Sequence, residues 1–286
     1  MTLREKHKNG QFTITVELDP PKSSSAQKVF DQAARLKGKV DAINIADSPM
    51  SKMRMSPISL SYLLQHHEGI ETIFHLTCRD RNIIGLQSEL LGAAALGVHN
   101  ILTLTGDKPD NGGDHPFAKA VFEVDSMGLL NISKTLNSGK DMAGNDLDEP
   151  TSFYIGTTGN PGAEDLEIER QKLAAKIEHG ANFVQTQPIY DLEQAKRYID
   201  AMSGFNIPIM LGLIPLKSFK MATYLHEKVP GISLTQEILN RVEKGGKEAG
   251  TEIAIETLEE IKKIASGVHI MPLNDIDTTL HIIDHV

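Results

Sequence analysis

Cysteine is nearly absent from this sequence: Cys78 stands alone. A single thiol forms no internal disulfide, and a Cys-based zinc site or an iron–sulfur cluster is excluded with it. Long apolar runs are missing as well. No window approaches the roughly 20 consecutive apolar residues that a membrane span needs, and the polar, lysine-rich residues 1–10 lead into no apolar segment, so no secretory signal is expected. Basic residues are outnumbered, 29 Lys and Arg against 38 Asp and Glu, and the net charge of −9 argues against a nucleic-acid backbone as partner. A reducing cytoplasm is the expected setting. Three catalytic signatures are also lacking: there is no Gly-x-Gly-x-x-Gly loop, no Walker sequence and no His-Glu-x-x-His helix.

What the chain does contain is alternation. Short β-rich runs at residues 12–18, 42–46, 72–77, 100–105, 152–156, 182–186, 208–213 and 268–271 are separated by amphipathic stretches such as 26–37, 83–96, 164–179 and 192–202. Several runs are apolar throughout, as parallel strands covered on both faces tend to be. Gly97, Gly180 and Gly267 fall where helix C-caps belong. Residues 108–113 read as a mobile loop after the fourth strand, and residues 231–250 as added helical material before the last. With 40% hydrophobic content and no linker-like tract, residues 1–286 are expected to form one domain. Eight βα units of this size fit an α/β fold of the (β/α)8 TIM-barrel type, with an open doubly wound sheet as the rival.

Polar residues collect where these strands end. The first runs into Glu17-Leu-Asp19-Pro-Pro-Lys22; the second ends near Asn44 and Asp47; the third holds His75 and Thr77 ahead of Arg79 and Asp80. The next three give Thr105-Gly106-Asp107, Thr157-Thr158-Gly159 and Gln185-Thr186-Gln187. Barrel active sites lie at these C-terminal ends. Taken singly, Asp47, Asp80 and Asp107 could each cap the following helix, His75 could be a satisfied core histidine, and Cys78 reads as a small buried filler. The segment 156–162 is by default a turn into a helix beginning near Glu164. Glu17 stands apart, because a carboxylate inside an apolar run is costly to bury and burial raises its pKa, as a general acid near neutral pH requires.

These segments resemble the methylenetetrahydrofolate reductase family from about Thr13 to the C-terminus. The matching motifs are Glu17-Leu-Asp-Pro-Pro-Lys22, His75-Leu-Thr-Cys78, Gly106-Asp107-Lys-Pro109, Lys176-Ile-Glu-His-Gly-Ala181, Thr186-Gln187-Pro-Ile-Tyr190-Asp191 and Gly212-Leu-Ile-Pro-Leu-Lys-Ser-Phe219. The resemblance implies a flavin, FAD by family pattern, across the barrel mouth and a ping-pong reaction. NADH or NADPH reduces the flavin and leaves; methylenetetrahydrofolate then takes the hydride. By the same resemblance Glu17 would protonate folate N10, Asp107 would sit by the flavin pyrimidine end and the pterin, Gln187 would bind the pterin, and Phe219 would lie against substrate or nicotinamide. His75, Thr77, Gly106 and Lys176 would hold the cofactor, with Asn44, Thr105, Gly156, Thr158 and Glu169 as further contacts. Thr105 stands where some members carry Arg, and Thr158-Gly-Asn-Pro-Gly162 replaces a Tyr-Pro-Glu-x-His segment, which leaves FMN open beside FAD. The first half of the chain is similar to the branch found fused to homocysteine methyltransferase domains or working beside iron–sulfur partners, so an iron–sulfur or zinc-containing partner subunit and a homo- or hetero-oligomer are expected. A pterin-dependent methyltransferase barrel, and a reductase subunit active only with an electron-transfer partner, are the alternatives.

Overall fold

The computed structural model describes residues 1–110, 112–229 and 231–285. Its strands are β1 Thr13–Leu18, β2 Ala42–Ile45, β3 Thr72–Thr77, β4 Asn100–Leu104, β5 Tyr154–Gly159, β6 Phe183–Pro188, β7 Ile209–Leu213 and β8 Gly267–Ile270. All are parallel and neighbours in sequence pair in space. β8 returns to β1 with Thr13 opposite Gly267 and Val16 opposite Ile270, so the sheet is a closed barrel and the open-sheet rival is excluded.

Helix α1, Leu3–Lys8, precedes the barrel; α2 Gln27–Leu36, α3 Pro57–Glu68, α4 Ile83–Ala95, α5 Ser126–Asn137, α6 Leu166–Glu178 and α7 Leu192–Met202 follow successive strands. Two helices, α8 Phe219–Lys228 and α9 Gln236–Ile264, separate β7 from β8, and α10 Ile276–Asp284 ends the chain. The added helical material expected before the last strand is the start of α9. Side chains at N-caps start most of these helices: Asn82, Asp125, Asp165 and Asp191 each accept a backbone N–H of the first turn.

Two layers of core follow from strand periodicity. Outward residues such as Val16, Leu18, Ile43 and Ile45 pack against Val29, Leu36, Leu60 and Leu64 of the helices. Inward residues fill the barrel: Ala42, Ile73, Leu102, Tyr154, Phe183 and Met210, with Leu3 of α1 closing the lower end. There the rings of Tyr154 and Phe183 stack at 4.9 Å, and His7 bridges Tyr154 Oη (2.8 Å) and Thr13 Oγ1 (2.9 Å). Gly156 sits among these rings because a Cβ there would lie 2.3 Å from Phe183.

The structure corrects two local expectations. Residues 156–159 are strand and not turn, since Thr158 and Gly159 pair with Gln185 and Thr186 of β6; the helix then starts at Leu166. Gly267 is no C-cap but the first residue of β8, pressed against the Thr13 carbonyl, and Ala265 caps α9. Gly97 and Gly180 do follow helix ends in the left-handed conformation, at φ +73° and +112°. Asn111, within the expected loop 108–113, lies outside the described residues.

Candidate active site

Moving one inward position up each strand reaches the mouth. Glu17, Ala46, Thr77, Leu104, Thr158, Gln187 and Met271 line a cavity of about 540 Å³, joined by Thr105, Gly106 and Asp107 beyond β4. Such a volume suits a small-molecule or cofactor site. Gly106 is held at φ +93° with its Cα against Thr77, so that a Cβ would meet the Thr77 side chain at 2.9 Å. Only glycine brings the backbone that close to β3.

Directly beneath this ring lies a belt of buried polar side chains. Asn44 Nδ2 is 2.9 Å from His75 Nε2 and donates to Gln185 Oε1 at 2.7 Å. Gln185 Nε2 donates to Asn44 Oδ1 (3.2 Å) and Thr15 Oγ1 (3.1 Å), and Thr15 Oγ1 lies 3.1 Å from His269 Nδ1. His269 Nε2 then faces Glu17 Oε2 at 3.7 Å. Five strands contribute one side chain each, and each of the five is at least 95% buried. Burial of this much polarity is tolerable because every member has a partner.

The electrostatics revise the reading of Glu17. Burial does push its carboxyl upward, but the polar approach of His269, and the charge that His75 and His269 carry once acid protonates them, outweigh that and leave it below the ordinary carboxylate value. The expectation of a raised pKa is therefore corrected. Its side chain keeps 23% of its surface open to the cavity, and ionisation at neutral pH follows. His75 goes the other way: burial lowers it to about 4, against the opposing charge of Glu17, so it is neutral. Asp19, two residues beyond Glu17, is raised by burial and by the Glu17 charge, with Arg54 opposing.

Loops after β1, β2 and β4 are tied together over one side of the mouth. Asp114 pairs with Lys22 and His115 and accepts the Met53 N–H at 3.0 Å, which holds its carboxyl well below the usual range. Arg79, 3% exposed, pairs with Asp80 and donates to the Ser48 carbonyl and Ser51 Oγ, while Ser51 Oγ donates to the Asp107 carbonyl. This buckle holds Ser48, Met50 and Ser51 at φ of 45°, 56° and 54°, a costly conformation for residues other than glycine. Asp47 accepts from Thr77 N, Thr77 Oγ1 and Arg81, joining the ends of β2 and β3. None of Asp47, Asp80 and Asp107 caps a helix; the caps are Ser56, Asn82 and Asp125.

The cavity thus gathers Glu17, His75, Thr77, Thr105, Gly106, Asp107, Thr158 and Gln187 from the residues singled out in the sequence. Asn44 and Gly156 lie beneath it, both buried. Glu169 and Lys176 sit on α6 outside its lining: Glu169 accepts the Asn160 N–H (2.9 Å), and Lys176 Nζ donates to the Thr158 carbonyl (2.7 Å). Burial lowers the Lys176 amine, with the Glu169 charge opposing. Phe219 opens α8, 39% exposed and also outside the lining. Cys78 is the filler expected, fully buried with its thiol pushed up to about 12 by burial. Two residues went unmarked in the sequence, His269 and Thr15. Both interrupt apolar runs at alternate positions, the signal of a polar side chain turned into the barrel. Among the described residues no cluster of three or more His, Cys, Asp or Glu could hold a metal ion.

The sequence model of the methylenetetrahydrofolate reductase family matches residues 2–286. The chain belongs to that family. Methylenetetrahydrofolate reductase 1 of Schizosaccharomyces pombe is 26% identical over 90% of this chain, which spans only 42% of that protein. The 5,10-methylenetetrahydrofolate reductase of Salmonella typhimurium is 24% identical, with 89% of this chain and 83% of the relative covered. Among solved structures, an uncharacterized protein from Clostridium thermocellum that binds two copies of 5-methyl-5,6,7,8-tetrahydrofolic acid superposes with a TM-score of 0.65 at 17% identity, covering 98% of this chain and 97% of its own. That likeness concerns the barrel. Among the described residues no helix is long and apolar enough to cross a membrane.

Proposed function

We propose that the chain, acting as one reductase domain, reduces 5,10-methylenetetrahydrofolate to 5-methyltetrahydrofolate with a bound flavin. The observation that carries this is the placement of one carboxylate, Glu17, at the head of a buried polar belt and in the same cavity as Asp107 and Gln187. Family membership and the folate-binding relative of the same fold support it.

The donor set fits a flavin. Leu102, Leu104, Ala46 and Met271 offer apolar walls for a flat ring system, and Thr77, Thr105, Thr158 and Gly106 offer polar contacts along one side. Those residues would hold it together with His75 and Asp107, and Glu169 and Lys176 would support the Asn160 and Thr158 backbone. FAD is the expected form, and FMN the alternative. When bound, the flavin supplies the hydride; the protein supplies position and one proton. Glu17 gives that proton to folate N10, and the N10–C11 bond breaks with its electron pair going to nitrogen. The resulting N5-iminium carbon is the hydride acceptor, and the methyl group results. Since Glu17 is ionised in the open cavity, it must take up a proton before each turnover. Exclusion of water by the occupied cavity raises its pKa toward that task. Asp107 and Gln187 orient the pterin, and Phe219 closes against substrate or nicotinamide.

The proposed donor is NADH or NADPH, in a ping-pong sequence within the cytoplasm, and the methyl product would feed methionine synthesis. A second reading keeps the chemistry but takes electrons from an iron–sulfur or zinc-containing partner in a hetero-oligomer. Exposed apolar residues near the mouth, Met50, Met53 and Phe117, favour it. Purification followed by mass identification of the flavin, then anaerobic titration with NADH and NADPH, tests both. Bleaching by a nucleotide and reoxidation by methylenetetrahydrofolate is the expected result. A flavin that neither nucleotide reduces selects the partner-dependent form, and a colourless protein overturns the proposal in favour of a methyltransferase barrel.

A further inference from the structure

The belt beneath the cavity constrains more than the ring positions of its two histidines. Each link holds a single hydrogen between two heavy atoms, so the direction of one bond dictates the next. Asn44 and Gln185 form a reciprocal amide pair. With the Gln185 amide nitrogen donating to Thr15 Oγ1, the only hydrogen Thr15 owns must go to His269 Nδ1. His269 then carries its proton on Nε2, toward Glu17 Oε2. At the other end, Asn44 Nδ2 donates to His75 Nε2, which places the His75 proton on Nδ1.

Turning over both amides gives a second self-consistent pattern with every arrow reversed. In that pattern His269 presents the Nε2 lone pair to Glu17. Against an ionised carboxylate at 3.7 Å this is repulsive, so the charge on Glu17 selects the first pattern. The groups that face Glu17 are few: His269 from β8, His75 from β3, and Asp19 beyond the end of β1, whose carboxylate is opposed by Arg54 of the loop after β2. None offers Glu17 a competing close donor among the described residues.

We infer that the belt is a tautomer lock, in which the Glu17 carboxylate sets His269 as the Nε2–H form, Thr15 passes that setting through Gln185 and Asn44 to His75, and His269 in turn positions the proton of Glu17. This rests on the proposed role of Glu17 as acid. With the Nε2–H of His269 directed at Oε2, the proton that Glu17 takes from cavity water resides on Oε1, the oxygen with no protein donor. That is the oxygen free to protonate a bound substrate. One proton enters, on Glu17; His269, Thr15, Gln185, Asn44 and His75 keep theirs. His269 and Thr15 are positioning residues, not proton donors to substrate.

The test uses protein labelled with ¹⁵N in histidine, at a pH where Glu17 is ionised, with His269→Gln identifying the His269 signals by their loss. The lock predicts protonated Nε2 and unprotonated Nδ1 for His269, and the opposite pair for His75. Thr15→Val, nearly the same shape, removes the link. His75 should then show both tautomers, because the Asn44–Gln185 pair is no longer tied to His269, while His269 stays Nε2–H against Glu17. Thr15→Ser should restore the single His75 tautomer, which separates the link from a packing defect. A wild-type His269 protonated on Nδ1, or a Thr15→Val protein in which His75 stays purely Nδ1–H, overturns the inference. Either result leaves the folate chemistry standing. Loss of folate reduction in the wild type itself would instead remove the function while the tautomer readout still decides the lock.

Discussion

Acid should destabilise this barrel through the buried histidine at its lower end. His7, on α1, is buried with both ring nitrogens bonded, to Tyr154 Oη and Thr13 Oγ1. Burial lowers its pKa from 6.5 to about 4, the charge of Asp41 opposing. A histidine with a depressed folded-state pKa costs nothing above its unfolded value. As pH falls below 6.5 the unfolded chain binds the proton first, and stability drops until the folded form also titrates near 4. At about 1.4 kcal/mol for each pKa unit, the full loss from this one residue is about 3 kcal/mol. Replacing it with Gln removes the titration while keeping a polar side chain, at a cost of about 1 kcal/mol at pH 7 from imperfect hydrogen bonding. Urea unfolding of both proteins at pH 7, 5.5 and 4.5 isolates the term, because the carboxylates titrate equally in each. The wild type starts more stable than His7→Gln and should fall behind it by pH 4.5, since the loss exceeds the initial lead. Parallel stability profiles across this range would refute the argument and place His7 in contact with water.

Further outcomes follow from the mouth and the barrel interior. Gly156→Ala drives a methyl group into the Phe183 ring and should cost about 1–3 kcal/mol. Thermal unfolding should show the loss, and Phe183→Leu on the same chain should recover part of it; if Gly156 matters only to a cofactor, stability stays unchanged. Asp107→Asn should keep the fold and raise the flavin potential by tens of millivolts, about 30 mV for each 1.4 kcal/mol of repulsion removed from the reduced form. Redox titration of the flavin-loaded variant checks this, and an unchanged potential would move Asp107 away from the cofactor.

The barrel was legible in the sequence because its outward strand faces are near-continuous Ile, Leu and Val, and its helices announce themselves by period and cap. Six strands differ from the sequence reading by one or two residues at an end, and β5 was displaced further. Gly156-Thr-Thr-Gly159 has the composition of a turn, and only pairing with β6, invisible locally, makes it strand. Glu17 was recognisable as a polar residue in the wrong place. The direction of its pKa was not, since that depends on His269, more than 250 residues away in the chain and adjacent only because β8 closes on β1. Asp47 shows the same limit: helix-cap chemistry and strand-joining chemistry use the same side chain, and tertiary contact with Thr77 and Arg81 decides between them. Polar strand ends identified the cavity, whereas the helix residues Glu169 and Lys176 came by resemblance and act here on loop backbone.

The central claim is that Glu17 delivers the proton that opens the folate ring. Glu17→Gln keeps the length and hydrogen-bonding reach but has no proton to give at N10, and the donor half-reaction needs none. Anaerobic stopped-flow of the two half-reactions separates them. Flavin reduction should proceed at the wild-type rate, and methylenetetrahydrofolate should reoxidise the reduced flavin ~10²–10⁴-fold more slowly, the usual loss when a general acid is removed. Undiminished reoxidation by folate in a variant that holds its flavin would contradict the account and leave Glu17 as a buried structural carboxylate.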